Sequence, residues 1–366
     1  MGICKICGKE SELVSSFLRV CSDCIINSKE SLELFLKAHE KSRELFGLTK
    51  NIPKEKNGIE CRGCGNNCRI AVGMRGFCGL VENRENKLIR IGGTPKNGIC
   101  EWYYDAHITN CVASHLCPGG TGSGYPKFAV KNGPEYGFYN LSVFYGSCNF
   151  NCLFCQNWHF RENTKKLYPQ ISSKELASKV NEMVSCICYF GGDPGTQLMH
   201  AIETSRIALE RANKRILRVC IETNGNANSN LLKKFALLSL ESGGNVKVDL
   251  KTFDERLSLA LCGISNRKTL ENFKMLSKYH KKREIPFLYA STLLIPGYVE
   301  VEEVRKISEF IAKVDKTIPY TILAFFPSFL MSDLPPTSKK VAEECFETAK
   351  ECGLEKVRIG NIHLLK

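Results

Sequence analysis

No apolar run in these 366 residues approaches the roughly 18 that a membrane-spanning helix requires, so the chain is expected to stay out of the bilayer. Residues 1–20 also lack the uninterrupted apolar core of a secretory leader. Internal repeats and low-complexity tracts are absent as well. Acidic residues are in deficit, 38 against 51 Lys and Arg, which gives a formal charge of +13. Such a balance can attract nucleic acid or an acidic protein. Here, however, the basic residues are interleaved with acids, as at Lys174, Glu175 and Lys179, and the densest run, Lys281–Arg283, is three residues long. Solvated faces account for most of the charge, and nucleic acid is not an expected partner. With 43% hydrophobic residues the chain can build one large core plus one or two small modules.

What the chain has in excess is cysteine, 20 residues. Without a leader, and grouped largely as CxxC, they are expected to be metal ligands in a reducing cytoplasm rather than disulfides. Cys4 and Cys7 form one pair and Cys21 and Cys24 another, thirteen residues on. Four thiolates in two knuckles suit tetrahedral zinc, although a rubredoxin-like iron takes the same ligands. A segment so short folds largely because the metal closes it. Ser28–Phe46 is predicted to be one amphipathic helix stopped at Gly47, and residues 49–58 (TKNIPKEKNG) a linker. A second set follows: Cys61, Cys64 and Cys68 in CRGCGNNC, then Cys78. Zinc and an auxiliary [4Fe4S] cluster are both compatible with these four. Cys100, Cys111 and Cys117, with His107 nearby, read either as core cysteines and a covering loop or as a further metal site or redox-active thiol. GGTGSG at 119–124 is followed by Pro126 and no helix, and reads as a flexible turn.

The chain is organised around Val143–Phe160, VFYGSCNFNCLFCQNWHF, which sets Cys148, Cys152 and Cys155 in the spacing CxxxCxxC. Three thiolates are one short of a filled zinc or [4Fe4S] site, so one metal position stays open. A zinc knuckle completed by His159 is the local alternative, but the alternating strands and helices that follow exceed what such a knuckle needs. The triplet, with Phe154 directly before its third cysteine, resembles the signature of the radical S-adenosylmethionine (SAM) superfamily. The likeness extends over roughly Tyr139–Leu365 and is nearest to pyruvate formate-lyase activating enzymes and AmmeMemoRadiSam-type proteins. The segment Cys61–Cys78 is also similar to the amino-terminal cysteine segment of the latter. The resemblance implies a [4Fe4S] cluster on Cys148, Cys152 and Cys155, its fourth iron chelated by SAM, and makes these three the catalytic residues.

From Asn140 onward, apolar runs at 141–145, 186–190, 216–221, 245–250, 287–295 and 320–326 alternate with helical stretches such as Lys174–Val184 and Gln197–Asn213. Ser172 with Glu175 reads as a capping box. The pattern predicts an α/β fold with parallel strands and a curved sheet covered by helices. The resemblance implies a partial (β/α)6 TIM-like barrel preceded by small cysteine-rich metal-binding modules. The expected division is 1–58 for a zinc-ribbon-like module with helix and linker, 59–138 for a cysteine-rich segment, and 139–366 for the barrel.

Functional groups belong at the carboxyl ends of barrel strands. CYFGGDPGTQ places Gly191, Gly192 and Asp193 at such an end. The glycines permit close approach to a ligand and Asp193 can pair with an ammonium group. The motif is similar to the family's GGE, which binds the SAM amino group, with Asp for Glu. Glu222 and Asn224 follow the third strand and suit ribose hydroxyls or a small cation. Asp249 and Lys251 share one face of the fourth strand. They form either a structural ion pair or, because the following LCGISNRKTLENF resembles the activating enzymes, the pair of the SAM site. In two places the chain departs from those enzymes: Ser291 stands where they carry arginine, and Phe325 with Phe326 where they carry histidine, which suggests stacking or packing at the adenosyl group. Residues 353–361 (GLEKVRIGN) resemble the closing strand of the AmmeMemoRadiSam-type branch.

The expected function is a cytoplasmic radical SAM enzyme, an oxidoreductase resembling the pyruvate formate-lyase activating enzymes. An external donor of ferredoxin or flavodoxin type reduces the cluster, SAM is cleaved reductively, and hydrogen is abstracted from a substrate expected to be a protein or peptide. Zinc and an auxiliary iron–sulfur cluster are the further expected cofactors. The alternatives are a radical SAM C-methyltransferase, a small-molecule radical SAM enzyme, and a zinc-only nucleic-acid-binding or adaptor protein.

Overall fold

The computed structural model describes all residues 1–366. Its main sheet contains β1 (Gly98–Ala106), β2 (Tyr139–Tyr145), β3 (Val184–Gly191), β4 (Arg218–Thr223), β5 (Val246–Asp249), β6 (Leu288–Leu294), β7 (Tyr320–Ala324) and β8 (Val357–Gly360). From β2 to β8 the strands pair in chain order and all run parallel. Each is followed by a helical crossover, so six β/α units end on a closing strand, β8. The sheet does not close, since its two ends, β8 and the two-residue strand Gln170–Ile171, have no hydrogen bonds to each other. This is a partial TIM-like barrel.

Side chains alternate across the sheet. On β3, Ile187 and Tyr189 join the main core, whereas Cys186 and Cys188 lie with Cys220 of β4 in a separate cluster on the inner face. The main core receives apolar stripes from the helices, such as Val304, Ile307 and Ile311 of Val301–Asp315. Ser172 Oγ accepts from Glu175 N at 3.2 Å, which is half of the expected capping box. The helix it starts is shorter than the expected Lys174–Val184: it spans Ser173–Ser178, and a turn follows before Val184 opens β3.

The boundary expected at residue 139 divides this sheet. β1 runs antiparallel to β2, from Cys100 opposite Tyr145 to Ala106 opposite Tyr139. Only its first three residues are buried, so it shows no clean alternation. Further toward the amino terminus, a second core of 28 residues joins Val14, Leu18, Val20, Ile25 and Phe35 to Phe150 and Leu153 of the cysteine loop and to Leu257, Leu261 and Val299 of the barrel. Tyr298 Oη accepts from Ser15 N (2.9 Å) and donates to Val20 O (3.0 Å). The expected helix is present as Ser31–Glu44, and a separate short helix, Ser22–Asn27, precedes it. The expected linker is tied down, with Arg69 N donating to Pro53 O at 2.8 Å and Lys54 Nζ to Asn66 O at 3.0 Å. GGTGSG is also no flexible turn: Pro118–Thr121 is a short helix with Gly119 and Gly120 buried, and a Cβ on Gly120 would meet Ser114 O at 1.7 Å. No helix is long and apolar enough to cross a membrane.

Candidate active site

The loop after β2 carries the cysteine triplet, and its backbone is pinned from behind. Asn151 N donates to Cys262 O (2.8 Å), Leu153 N to Leu261 O (3.0 Å), and Leu330 N to Leu153 O (3.0 Å). The helix Ser31–Glu44 braces the same loop. Asn151 Nδ2 donates to His39 Nδ1 (3.0 Å), which leaves the proton on Nε2 to be donated to Ala260 O (3.0 Å). Burial holds the His39 imidazole down at about 4, so this tautomer is neutral and fixed near neutral pH. Sequence reasoning had assigned that helix no part in the site.

Cys148, Cys152 and Cys155 face a cavity of about 190 Å³, and Phe154, Gly191, Gly192, Asp193, Glu222, Asn224, Asp249 and Lys251 all line it too. The carboxyl ends of β2 to β5 thus bring together every candidate for this site. Their roles differ in detail from the expectations. Asp193 is buried and accepts from Asn224 N (2.6 Å), Gly195 N (2.7 Å) and Thr223 Oγ1 (3.0 Å). Burial nevertheless pushes its carboxyl up to about 6. The glycines serve a close approach of protein to protein: a Cβ on Gly192 would meet Ser147 O at 2.3 Å, and one on Gly191, at φ +108°, the backbone of Phe144 and Tyr145. Asn224 Nδ2 turns to Asn149 Oδ1 (2.8 Å) and Cys148 Sγ (3.8 Å). Asp249 and Lys251 form an ion pair at 2.7 Å, and Ser291 Oγ donates to the other oxygen of Asp249. Phe325 is core and Phe326 exposed; neither lines the cavity, so no stacking comes from that pair. His159 stacks on Trp158, ring centroids 3.7 Å apart, and stays outside the cavity, so no zinc knuckle forms there.

The surroundings test whether a metal cluster fits. Burial raises the Cys148 and Cys155 thiols, so as free thiols they stay protonated; a bound cation is what would hold them as thiolates. Cys152 is lowered by a hydrogen bond from Cys262, which stands behind it outside the cavity. Two buried guanidiniums, Arg43 and Arg161, bond only carbonyl and amide oxygens, with no carboxylate partner. Arg161 Nε is enclosed without any acceptor. Burial and Arg161 push Arg43 down to about 9, opposed by the thiols Cys148, Cys78 and Cys68. An isolated buried cation is costly, and thiolate-bound clusters supply the missing anionic charge. The residues fit a [4Fe4S] cluster.

Arg43 also faces the second cysteine set. Cys61, Cys64, Cys68 and Cys78 line one small enclosed void, and Ser147 Oγ, adjacent to Cys148, donates to Cys78 O at 2.8 Å. At the amino terminus the sulfurs of Cys4, Cys7, Cys21 and Cys24 all lie within 4.8 Å of one another, and no other group of three or more such ligands is so compact. That spacing suits one tetrahedral ion, whose thiolates sit about 3.8 Å apart for metal–sulfur bonds of ~2.3 Å. Of the remaining candidates, Cys100 is packed in the main core, whereas Cys111, Cys117 and His107 border a separate cavity inside the barrel.

A family model covers the cysteine loop and the strands β3 to β6 that follow it. Residues 142–311 match the model of the radical SAM superfamily. An uncharacterized protein of Methanocaldococcus jannaschii is 26% identical over 316 residues, 84% of this chain and 83% of its own. A putative glycyl-radical enzyme activating enzyme of the same organism is 27% identical over 180 residues, 49% of this chain, and the match spans 64% of that relative. Among solved structures, a domain of pyruvate-formate lyase-activating enzyme from Bacteroides vulgatus matches at TM-score 0.38 and 20% identity, covering 48% of this chain and 98% of that one. Streptococcus suis SuiB bound to precursor peptide SuiA matches at TM-score 0.46 and 13% identity, covering 59% and 47%. Residues 142–311, with the cysteine loop they contain, are thus similar to the radical SAM superfamily.

Proposed function

We propose that this protein is a radical SAM enzyme that cleaves SAM reductively and abstracts hydrogen from a polypeptide. One observation carries the reading: a single cavity gathers three thiols, with no fourth cysteine and no histidine, beside the Asp193 carboxylate and the Asp249–Lys251 pair. A [4Fe4S] cluster held by Cys148, Cys152 and Cys155 would supply the electron that splits SAM into methionine and a 5'-deoxyadenosyl radical. Asp193, with its remaining lone pairs, receives the ammonium group of SAM. Lys251 is the one cationic side chain lining the cavity and takes the SAM carboxylate, since Ser291 is committed to Asp249. Phe150, Phe154, Phe160 and Leu293 line the remaining wall and exclude water. The ribbon cysteines hold zinc, and the set at Cys61–Cys78 holds zinc or an auxiliary cluster. The electron comes from an outside donor of ferredoxin or flavodoxin type.

The relative described as a putative glycyl-radical enzyme activating enzyme supports a protein substrate. Reduced enzyme incubated with SAM and deuterated cell extract tests this. Deuterium in 5'-deoxyadenosine should depend on the macromolecular fraction, and label transfer confined to the low-molecular-mass fraction overturns the polypeptide reading.

A further inference from the structure

Behind the SAM cavity, and sharing Asn157, Phe190 and Glu222 with it, lies a second cavity of about 310 Å³ inside the barrel. Five cysteines line it. Cys186 and Cys188 of β3 and Cys220 of β4 project from the inner face of the sheet, where Cys188 and Cys220 are direct neighbours across the strands and the sulfurs of Cys186 and Cys220 are 3.6 Å apart. Cys111 and Cys117 come down from the segment that covers the barrel. None of the five has a role in the SAM site, and none is a disulfide.

The polar groups around these sulfurs are left incomplete. Lys247, on the same inner face of β5, is 1% exposed; its ammonium donates to Cys111 Sγ and Cys188 Sγ, each at 3.1 Å, with Glu222 at 3.6 Å. Neutral thiols are weak acceptors, so a buried ammonium placed on two of them is poorly served unless they are thiolates. Asn140 and Asn245, 5% and 3% exposed, line the cavity with side-chain oxygens that have no partner, and His107 Nε2 is likewise unpartnered. Buried polar groups are rarely left so, and several around one void point to an occupant. Cys186 and Cys220 are in sulfur contact, but no three of the five sulfurs are grouped as tightly as the amino-terminal four, so the set as it stands does not enclose one tetrahedral ion.

We propose that the barrel interior holds a second metal centre, an iron–sulfur cluster ligated by cysteines from the set Cys111, Cys117, Cys186, Cys188 and Cys220. Lys247 lies against it as counter-charge, and Glu222 borders both this centre and the SAM cavity. The site goes beyond the proposed SAM chemistry and does not depend on it.

The test starts from anaerobically purified full-length protein with Cys148, Cys152 and Cys155 all changed to Ala, so that the first centre cannot contribute. Adding Cys111→Ser and Cys117→Ser, both on the covering segment, should remove about four iron and four sulfide per chain if the centre is of the [4Fe4S] type. Lys247→Met in the same background leaves every ligand in place and should lower the cluster's reduction potential, because a cation beside it favours the more negative reduced form, without iron loss of that size; an unchanged or raised potential speaks against Lys247 as counter-charge. Unchanged iron and sulfide after the two Ser substitutions, or loss of a single zinc with no sulfide, overturns the proposal. Should the Ser variant fail to fold, Mössbauer spectra of the protein carrying only the three Ala substitutions decide instead, because Cys61–Cys78 can be changed to Ala in turn: no cluster signal surviving that change overturns it.

Discussion

At the scale of single residues, Asp193 is caught between two demands. A carboxyl raised to about 6 in the folded protein, against about 4 in the unfolded chain, stabilises the fold most at low pH, and that contribution is lost as pH rises through about 6. Pairing with an ammonium group needs the ionised form. SAM affinity should therefore rise as pH climbs through about 6 while the stability contribution of this group falls. Asp193→Asn should flatten the affinity profile and weaken binding roughly 10- to 150-fold above neutrality, the worth of a hydrogen bond to a charged group. Calorimetric titration of SAM across this range checks it, and a wild-type affinity independent of pH speaks against Asp193 as the ammonium partner. Replacing Cys148, Cys152 or Cys155 by Ala should abolish 5'-deoxyadenosine formation and the labile cluster together. His159→Ala should leave iron content unchanged, as its ring lies on Trp158; iron loss in that variant would restore His159 as a ligand.

At the scale of elements, the ribbon is joined to the barrel through Tyr298. Tyr298→Phe removes one acceptor and one donor and leaves Ser15 N and Val20 O without a partner, which should cost about 1–3 kcal/mol. Chemical denaturation measures this, with iron content as the control; an unchanged midpoint would mean that water replaces the hydroxyl. The parallel strands were legible because strands buried on both faces appear as continuous apolar runs. β1 was not, because an antiparallel strand near the sheet's edge, with most of its residues outside the core, carries too few buried residues to set a period. That the SAM-side residues would line one cavity could be read because barrel topology makes neighbours of strand ends far apart in sequence. The inner-face cysteines were overlooked for a related reason: in SCICYF a cysteine counts as one more small apolar residue. Its spacing of two, Cys186 and Cys188, was the available signal. What Ser291 does could not be read at all, since its partner Asp249 belongs to the adjacent strand.

At the scale of the whole molecule, the amino-terminal module and the barrel share one core, so they should not melt separately. Stripping the ribbon metal with a chelator, or deleting residues 1–24, should lower the melting temperature of the entire chain and impair SAM cleavage along with physiological turnover. A truncated chain that keeps its melting temperature and iron content would show the contact to be superficial. Arg43 lies between the radical-loop cysteines and the set Cys61–Cys78, with Arg161 beside it against Cys152 and Cys155, both enclosed and without a carboxylate. In a chain that has not received its metals, those two cations strain the layer that holds ribbon, loop and barrel together. With the proposed clusters bound, delivery of iron would be a step of maturation: a cell short of iron would hold less of this protein as well as a less active form, because the unfilled chain is the one that opens to proteases.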